Sequence, residues 1–303
     1  MASALDKKRI NKRGIAVTFN WIFSLVAGVL IFFFLVYFAV QNTDLFGNVT
    51  ARIVAEELDI LFSGYETIQT RSMLDFGKNV ELDFYCDDST QKFKVNGETG
   101  KTIWDKIIFS PDKIESSKIN VATASWKVPF RVANFIYIFD EKYNIKDDVG
   151  INIGLINNLK GSGKNVLISP YFDGKCQNGE DGKKVIHYNK ETEEGYVCFD
   201  GKDDKSPVKF FGEAMLIGAV LSDKDNFECA KNKAEEKLNI MKKVFANKNN
   251  NLEDTGLCEE NSLYGRFTNK MNILTIDLMN KNTINSFESW NKDLIAGGCA
   301  SVY

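Results

Sequence analysis

The sequence contains few of the residues that mark specialised protein classes. Only 4 prolines and 1 histidine occur among 303 residues, and no Cys-x-x-Cys pair is present. With 44% hydrophobic and 26% charged residues, the composition excludes a collagen-like or wholly disordered chain. One histidine without a Cys-x-x-Cys pair also argues against a zinc ribbon or a thioredoxin-like redox site. The remaining composition is that of a globular protein with enough apolar material for a core.

Long apolar runs are equally scarce, with one exception at residues 21–40 (WIFSLVAGVLIFFFLVYFAV). Such a run spans about 30 Å as a helix, which matches the hydrocarbon core of a bilayer. Because the apolar character extends back to Ile15, the sequence predicts a transmembrane helix over residues 15–41. Two alternatives fit less well. A secretory signal peptide has a shorter apolar core followed by small residues, and Ala39-Val40-Gln41 is a poor cleavage site. A buried core helix this apolar, directly beside five positive charges, is also unusual.

Positive charge is concentrated ahead of this run. Residues 1–14 carry five basic residues and one acidic residue, a net +4, whereas the other 289 residues carry −7 of the chain's total of −3. The positive-inside rule therefore predicts a single-pass membrane protein with a cytoplasmic basic tail over residues 1–14 and an extracytoplasmic remainder. The expected partners are the lipid bilayer and an envelope protein. Nucleic acid is not expected as a partner, because an acidic body repels its phosphate backbone. The oligomeric state is left open.

All six cysteines follow the apolar run, and an even number in an oxidising compartment predicts disulfides. Six buried free thiols are the alternative. Six cysteines allow 15 pairings, so the connectivity rests on local context. That context favours Cys176–Cys198 across a polar hairpin-like stretch and Cys229–Cys258 around one helix and its loop, which leaves Cys86 with Cys299.

Residues 42–70 are predicted to form a juxtamembrane helix and linker. Apolar residues from Ile53 to Phe62 recur near helical spacing, and Ser63-Gly64 is expected to end the helix. The tripeptide Asn48-Val49-Thr50 is a glycosylation sequon, which makes Asn48 a candidate for modification.

Residues 71–303 are predicted to form one α/β domain with a mixed sheet, closed by C-terminal helices; a subdivision near residue 146 is the alternative. Alternation over residues 80–85 and the Asn96-Gly97 pair indicate strands and a turn. The apolar runs at residues 132–139 and 214–221 suit central strands, with a short crossover helix between them. Three helical patterns follow, and the Asn-rich residues 247–251 are expected to form a loop.

Three motifs are suggestive of chemistry but lack the elements that they need. Gly161-Ser162-Gly163-Lys164 lacks the earlier glycine and the following Ser or Thr of a phosphate-binding loop. Ser110-Pro111-Asp112-Lys113 has no later Lys-Thr-Gly element and is better explained as a helix start capped by Ser110. His187 lies in a strand-like segment without a recognisable nucleophile. The sequence therefore predicts no catalytic, cofactor or metal site.

Two resemblances bear on these expectations. Residues Arg13-Gly14-Ile15-Ala16 ahead of the apolar run resemble the cleavage region of archaeal type IV prepilins, which implies cutting after Gly14 and packing of the helix in a filament. The expected acidic residue five positions after the cut is Phe19 here. Most of the chain is similar to single-pass envelope proteins of small-genome archaea. The segments that carry this second resemblance are residues 19–28, 107–114, 126–139 and 298–303.

The second resemblance implies the same membrane topology and no activity. Together with the anchor, the cysteines and the missing catalytic signatures, it predicts a membrane-anchored binding or scaffolding protein of the cell envelope. An extracytoplasmic hydrolase with a carboxylate site hidden in the sequence and a pilin-like filament subunit are the alternatives.

Overall fold

The computed structural model describes residues 12–41, 43–65, 71–87, 90–98, 100–140, 142–170, 176, 183–199, 206–255 and 261–303. The chain divides into two compact units, Met1–Arg52 and Ile53–Tyr303. The division considered near residue 146 falls inside the second unit.

The first unit consists mainly of helix α1 (Lys12–Gln41). Its segment Trp21–Phe38 has a mean hydropathy of 2.5 and is the one helix in the described chain that is long and apolar enough to cross a membrane. The large apolar side chains of this segment are exposed, as Phe34 is at 64%. These side chains are therefore not part of a hydrophobic core among the described residues.

Helix α2 (Thr43–Tyr65) begins in the first unit and ends in the second. Asn48 lies in this helix, and its side chain is outside the described part of the structure. Within the second unit, Leu58 and Phe62 are fully buried, and the Phe62 ring lies 6.0 Å from the ring of Phe93. The helical periodicity in the sequence is thus confirmed, because its apolar stripe is buried in the second unit's fold.

The first sheet contains six strands in the order β3-β2-β1-β5-β6-β4. All neighbours are antiparallel except β4 and β6, which are parallel. Its strands are β1 (Arg71–Asp87), β2 (Thr90–Val95), β3 (Lys101–Thr102), β4 (Ile107–Phe109), β5 (Lys113–Lys127) and β6 (Arg131–Phe139). The turn predicted at Asn96-Gly97 follows β2, and both residues adopt the positive φ angles that such turns require.

The second sheet contains five strands in the order β11-β10-β9-β8-β7, parallel from β7 to β9 and antiparallel from β9 to β11. Its strands are β7 (Lys142–Asp147), β8 (Gly163–Ser169), β9 (Lys183–Asn189), β10 (Glu194–Cys198) and β11 (Val208–Phe211). The predicted crossover helix is α3 (Gly154–Leu159), which joins β7 to β8 as parallel pairing requires. The second unit is thus an α/β fold with mixed sheets.

Helix α4 (Glu213–Leu221) corrects the strand predicted over residues 214–221. All eight of these residues are buried, and the helix contacts strands of both sheets. Periodicity cannot distinguish a fully buried helix from a fully buried strand, because neither has a polar face. The Tyr137 hydroxyl donates to the carbonyl oxygen of Ala214 at 2.7 Å, and Gly218 lets the helix approach the Phe109 ring closely.

Three helices complete the fold as predicted: α5 (Lys224–Asp254), α6 (Asn261–Asn272) and α7 (Lys281–Ala296), with a 3-10 turn at Ile276–Leu278. The loop predicted at residues 247–251 is wrong, because α5 continues through it. Asn249 is fully buried there, and its amide group donates to the carbonyl oxygen of Tyr264 and to the hydroxyl of Thr268. The Asn-rich sequence is helical because these tertiary bonds outweigh its weak helix propensity.

The disulfides correct part of the predicted connectivity. Cys176 is bonded to Cys198, as expected, whereas Cys86 is bonded to Cys229. The predicted pairs Cys86–Cys299 and Cys229–Cys258 are therefore wrong. Strand β1 passes the first turns of α5, so two cysteines 143 residues apart come within 6.0 Å of each other, measured between Cα atoms. Cys299 is also disulfide-bonded, and Cys258 lies outside the described residues.

Candidate functional site

Polar side chains are aligned across four strands on one face of the second sheet. Ser169 on β8 is paired with His187 on β9, His187 with Tyr196 on β10, and Tyr196 with Lys209 on β11. Directly paired residues point to the same side of a sheet. These four residues therefore form one row, which spans about 14 Å at the usual strand spacing of about 4.8 Å.

A second level of the same face carries Asn189 and Glu194, which are also paired across β9 and β10. We call these six residues the outer polar face. Its members are exposed or half-buried, whereas the alternate residues Ile186 and Phe210 are fully buried. The alternation shows that the sheet turns its apolar side to the core and this polar side to solvent.

Lys209 and Glu194 form an ion pair that fixes one end of the outer polar face. Their side chains are 20% and 27% exposed, and Lys209 Nζ lies 2.9 Å from Glu194 Oε1. The same ammonium group lies 5.8 Å from the centre of the Tyr196 ring, within the range of a cation–π contact. The lysine thus holds both the carboxylate and the aromatic ring in place, and its charge is neutralised by Glu194.

A cavity of about 360 Å³ opens on this face. It lies at the carboxyl ends of β8 and β9, the edge of an open α/β sheet where ligands commonly bind. Its lining residues are Pro170, His187, Tyr188, Asn189, Thr192, Glu194 and Tyr196. The Asn189 side-chain oxygen accepts hydrogen bonds from the backbone N–H groups of Glu191 and Thr192, at 2.8 and 3.1 Å, which gives the rim a defined shape.

The disulfide Cys176–Cys198 lies on the same side of the sheet. Cys198 is paired with Val185, two residues before His187, so its side chain points to the outer polar face. The connection from β8 to β9 starts at Pro170, on the cavity wall, and is fixed to β10 at Cys176. The covalent bond therefore fixes Cys176 to β10, the strand that carries Tyr196.

Sequence reasoning placed His187 in a strand, and β9 confirms that placement. It did not find Ser169, Tyr196, Lys209 or Glu194 as members of one face. Alternation within GYVC and KVIHYN could have shown which side chains share a side of their own strand. The pairing of strands, which brings the side chains together, depends on contacts distant in the chain and leaves no local signal.

A second cluster of titratable groups surrounds Asp112, between β4 and β5. The Asp112 backbone N–H donates to Asp223 Oδ2 at 3.0 Å, and the amide group of Asn226 donates to Asp112 Oδ1 at 2.9 Å. Partial burial and the nearby carboxylates of Asp223 and Asp225 raise the pKa of Asp112 to about 6, against the opposing effect of two lysines. Asp112 can therefore exchange a proton near neutral pH, unlike an ordinary aspartate.

The motifs rejected from the sequence have structural roles that differ in part from the predicted ones. The helix start predicted at Ser110-Pro111 is wrong, because these residues join β4 directly to β5. The backbone bends at Gly161-Ser162 just before β8, and a side chain at Gly163 would collide with the carbonyl oxygen of Lys142 at 1.7 Å. These glycines thus allow close backbone packing at the start of β8.

Within the described ranges, no group of three or more His, Cys, Asp or Glu side chains could hold a metal ion. No protein-family model, no curated protein and no solved structure matches this chain. The outer polar face and the Asp112 cluster are therefore the two features of the described residues that point to a function.

Proposed function

We propose that the protein is a membrane-anchored binding protein of the cell envelope, with its binding domain outside the membrane. The apolar segment Trp21–Phe38 supports the anchor, and the basic residues ahead of it support a cytoplasmic N-terminus. The disulfides in the second unit support an oxidising compartment for that unit. The buried end of α2 supports a domain in which this helix is an integral element.

The outer polar face is the observation that carries the binding function. Its side chains are presented by hydrogen-bonded strands, so they are held in place before any ligand arrives. The cavity is open and lined by donors, acceptors and the half-buried aromatic ring of Tyr196. Such a surface suits recognition of a ligand that offers several polar groups along an extended shape.

The chemistry of the face favours a neutral, hydroxyl-rich ligand such as an envelope glycan. The Lys209 charge is neutralised by Glu194, so the face has no unbalanced charge to attract an anion or a cation. Asn189, Glu194 and His187 offer both donors and acceptors, which match sugar hydroxyl groups. The Tyr196 ring supplies an apolar surface beside them, and the row of about 14 Å accommodates more than one sugar ring.

Binding of neutral and acidic oligosaccharides to the full chain in detergent micelles tests this proposal. We expect neutral oligosaccharides to bind. Tyr196→Ala should raise their dissociation constant at least about tenfold, because it removes the aromatic ring from the row. Isothermal titration calorimetry measures both values.

Tyr85→Ala is the matched control. Tyr85 lies on the first sheet with Lys94 Nζ at 5.0 Å from its ring, so it reproduces the lysine–tyrosine pair on the other sheet of the domain. This variant should bind oligosaccharides like the unmodified protein. Equal affinity of the Tyr196→Ala variant and the unmodified protein, or binding of acidic oligosaccharides alone, would contradict the proposal.

The Asp112 cluster favours a second candidate, an extracytoplasmic hydrolase. A carboxyl group with a pKa of about 6 can act as a general acid near neutral pH, and the carboxyl groups of Asp223 and Asp225 lie beside it. Hydrolysis of 4-nitrophenyl glycosides by the unmodified protein, with loss of that activity in the Asp112→Asn variant, would favour this candidate. We prefer the binding function, because Asp112 does not line the cavity on the outer polar face.

A further inference from the structure

The first half of β1 forms an edge within the first sheet. Strand β1 pairs with β5 from Arg71 to Asp83, but with β2 only from Leu82 to Asp87. Among the described strands, β5 alone therefore pairs with the segment Arg71–Asp75. Such an edge presents backbone donors and acceptors to any strand that can lie beside it.

The side chains of this segment alternate strictly. Arg71, Met73 and Asp75 are exposed on one side, whereas Ser72 and Leu74 are half-buried on the other. Met73 is 59% exposed, which is unusual for a large apolar side chain at the centre of a strand. Beyond Asp75 the pairing with β5 shifts, and the Gly77 N–H donates to Asp75 Oδ1, so the regular edge ends there.

We propose that two copies of this chain associate through this edge, as antiparallel β1 strands related by a two-fold axis at Met73. The axis places Arg71 of each copy opposite Asp75 of the other, and the two Met73 side chains opposite each other. Opposite charges on directly paired residues stabilise antiparallel strands. The association is closed, because both copies use the same surface.

Other two-fold registers lack this complementarity. A two-fold axis perpendicular to the sheet leaves the exposed side chains of both copies on the same side of the joined sheet. Directly paired residues share a side, so the axis must pass through a residue and not between two residues. A centre at Ser72 places Arg71 opposite Met73, and a centre at Leu74 places Asp75 opposite Met73. The register at Met73 is therefore the one of the three that pairs both charges. Asp75 is exposed, so the ordinary pKa of its carboxyl group already keeps it ionised at neutral pH, and the hydrogen bond from Lys118 lowers this pKa further.

Reciprocal charge reversal tests the proposal on the full chain in detergent micelles. The unmodified protein should be dimeric at micromolar concentration by light scattering. Arg71→Asp and Asp75→Arg should each weaken the dimer at least about tenfold, because each places like charges opposite one another. The double variant Arg71→Asp/Asp75→Arg should restore the dimer, since it exchanges the two charges.

Lys118→Ala is the matched control. It removes the in-chain partner of Asp75, at 2.9 Å, without changing either charge of the proposed pair, and it should stay dimeric. A monomeric unmodified protein, or a double variant no more dimeric than the single ones, would overturn the proposal.

Cross-linking gives an independent measurement. Across an antiparallel pair, opposite Cα atoms lie about 4.5 to 5.5 Å apart, a distance that a disulfide spans. Met73→Cys should therefore form a covalent dimer on mild oxidation. Lys78→Cys, which lies beyond the end of the regular edge, should not. No free cysteine occurs among the described residues to compete with this reaction. A Met73→Cys variant that cross-links no better than the Lys78→Cys variant would also overturn the register.

Discussion

The Lys106 ammonium group donates a hydrogen bond to the Ser63 hydroxyl at 2.9 Å, across 43 residues of sequence. Lys106 lies in the segment before β4, and its side chain is only 11% exposed, whereas Ser63 is exposed. Together with the buried Phe62, this hydrogen bond fixes the end of α2 to the first sheet. Residues 53–65 are therefore part of the folded domain, although the sequence alone also allowed a linker there.

Phe62→Ala should destabilise the domain by about 3 to 5 kcal/mol, because the side chain is fully buried against Phe93 and its removal leaves a cavity. Ile60→Ala is the control on the same helix. Ile60 is 71% exposed, so its loss should change the free energy of unfolding by less than about 0.5 kcal/mol. Urea denaturation followed by tryptophan fluorescence measures both; equal effects would mean that α2 is not integrated in the fold.

Gly218→Ala should destabilise the domain by about 1 to 3 kcal/mol, because a methyl group there would lie 2.4 Å from the Phe109 ring. Gly154→Ala on α3 is the control, since no atom lies within 4 Å of its added carbon, and it should change the unfolding free energy by less than about 1 kcal/mol. The double variant Gly218→Ala/Phe109→Leu should recover part of the loss if the collision is the cause. Thermal unfolding distinguishes the three variants.

Non-reducing peptide mapping should recover Cys86 linked to Cys229 and Cys176 linked to Cys198, and it should link Cys299 to Cys258. Replacing Cys86 and Cys229 with serine should lower the unfolding free energy by about 3 to 5 kcal/mol, because their bond closes a loop of 143 residues in the unfolded chain. Replacing Cys176 and Cys198, which are 22 residues apart, should lower the unfolding free energy by about 1 to 2 kcal/mol less than that. A larger loss from the shorter loop would contradict the chain-entropy explanation.

Asp112→Asn should change how stability depends on pH. The pKa of Asp112 in the fold, about 6, is above its ordinary value of 3.8, so the folded protein holds this proton more tightly than the unfolded chain. The stabilisation from that proton is complete below about pH 4 and is lost as the pH rises through about 6. The variant should therefore lose less stability between pH 4 and pH 6 than the unmodified protein, with Asn226 still bonded to its side-chain oxygen.

Denaturation midpoints at a series of pH values measure this difference. Asp254→Asn, at an exposed position on α5, is the control and should follow the unmodified protein. Parallel curves for the Asp112→Asn variant and the unmodified protein would show that Asp112 does not titrate in this range.

Protease added to intact cells should remove the second unit while residues 1–14 stay protected, because the proposed topology leaves only the basic tail inside.

Intact-mass measurement of the purified protein should find that tail present. A mature protein beginning at Ile15 would instead favour prepilin-like processing, and full protection of the second unit would contradict the orientation.

Local patterns were sufficient for part of this fold. The helical spacing before Ser63, the turn at Asn96-Gly97 and the crossover helix are encoded by near neighbours in the chain. The strand predicted at residues 214–221 failed because total burial removes the polar side that distinguishes helix from strand. The loop predicted around Asn249 is wrong because the hydrogen bonds that keep this segment helical come from Tyr264 and Thr268 on α6, 15 and 19 residues further along the chain.

The candidate site was less accessible to sequence reasoning. His187 could be placed in a strand, yet Ser169, Tyr196 and Lys209 became its neighbours only through the order and register of β8 to β11. The Cys86–Cys229 bond was missed for the same reason, since it depends on where β1 passes α5. In both cases the decisive information is the pairing of distant segments.

Helix α4 has a consequence for biosynthesis. The strands of the first sheet end at Phe139, whereas the helix that fills the space beside them begins at Glu213 and also supports the second sheet. During synthesis the first six strands therefore leave the ribosome well before their central packing partner exists. A nascent chain halted in that interval would present uncovered apolar strand surfaces, and it would depend on chaperones until both α4 and α5, which also contacts the first sheet, had emerged.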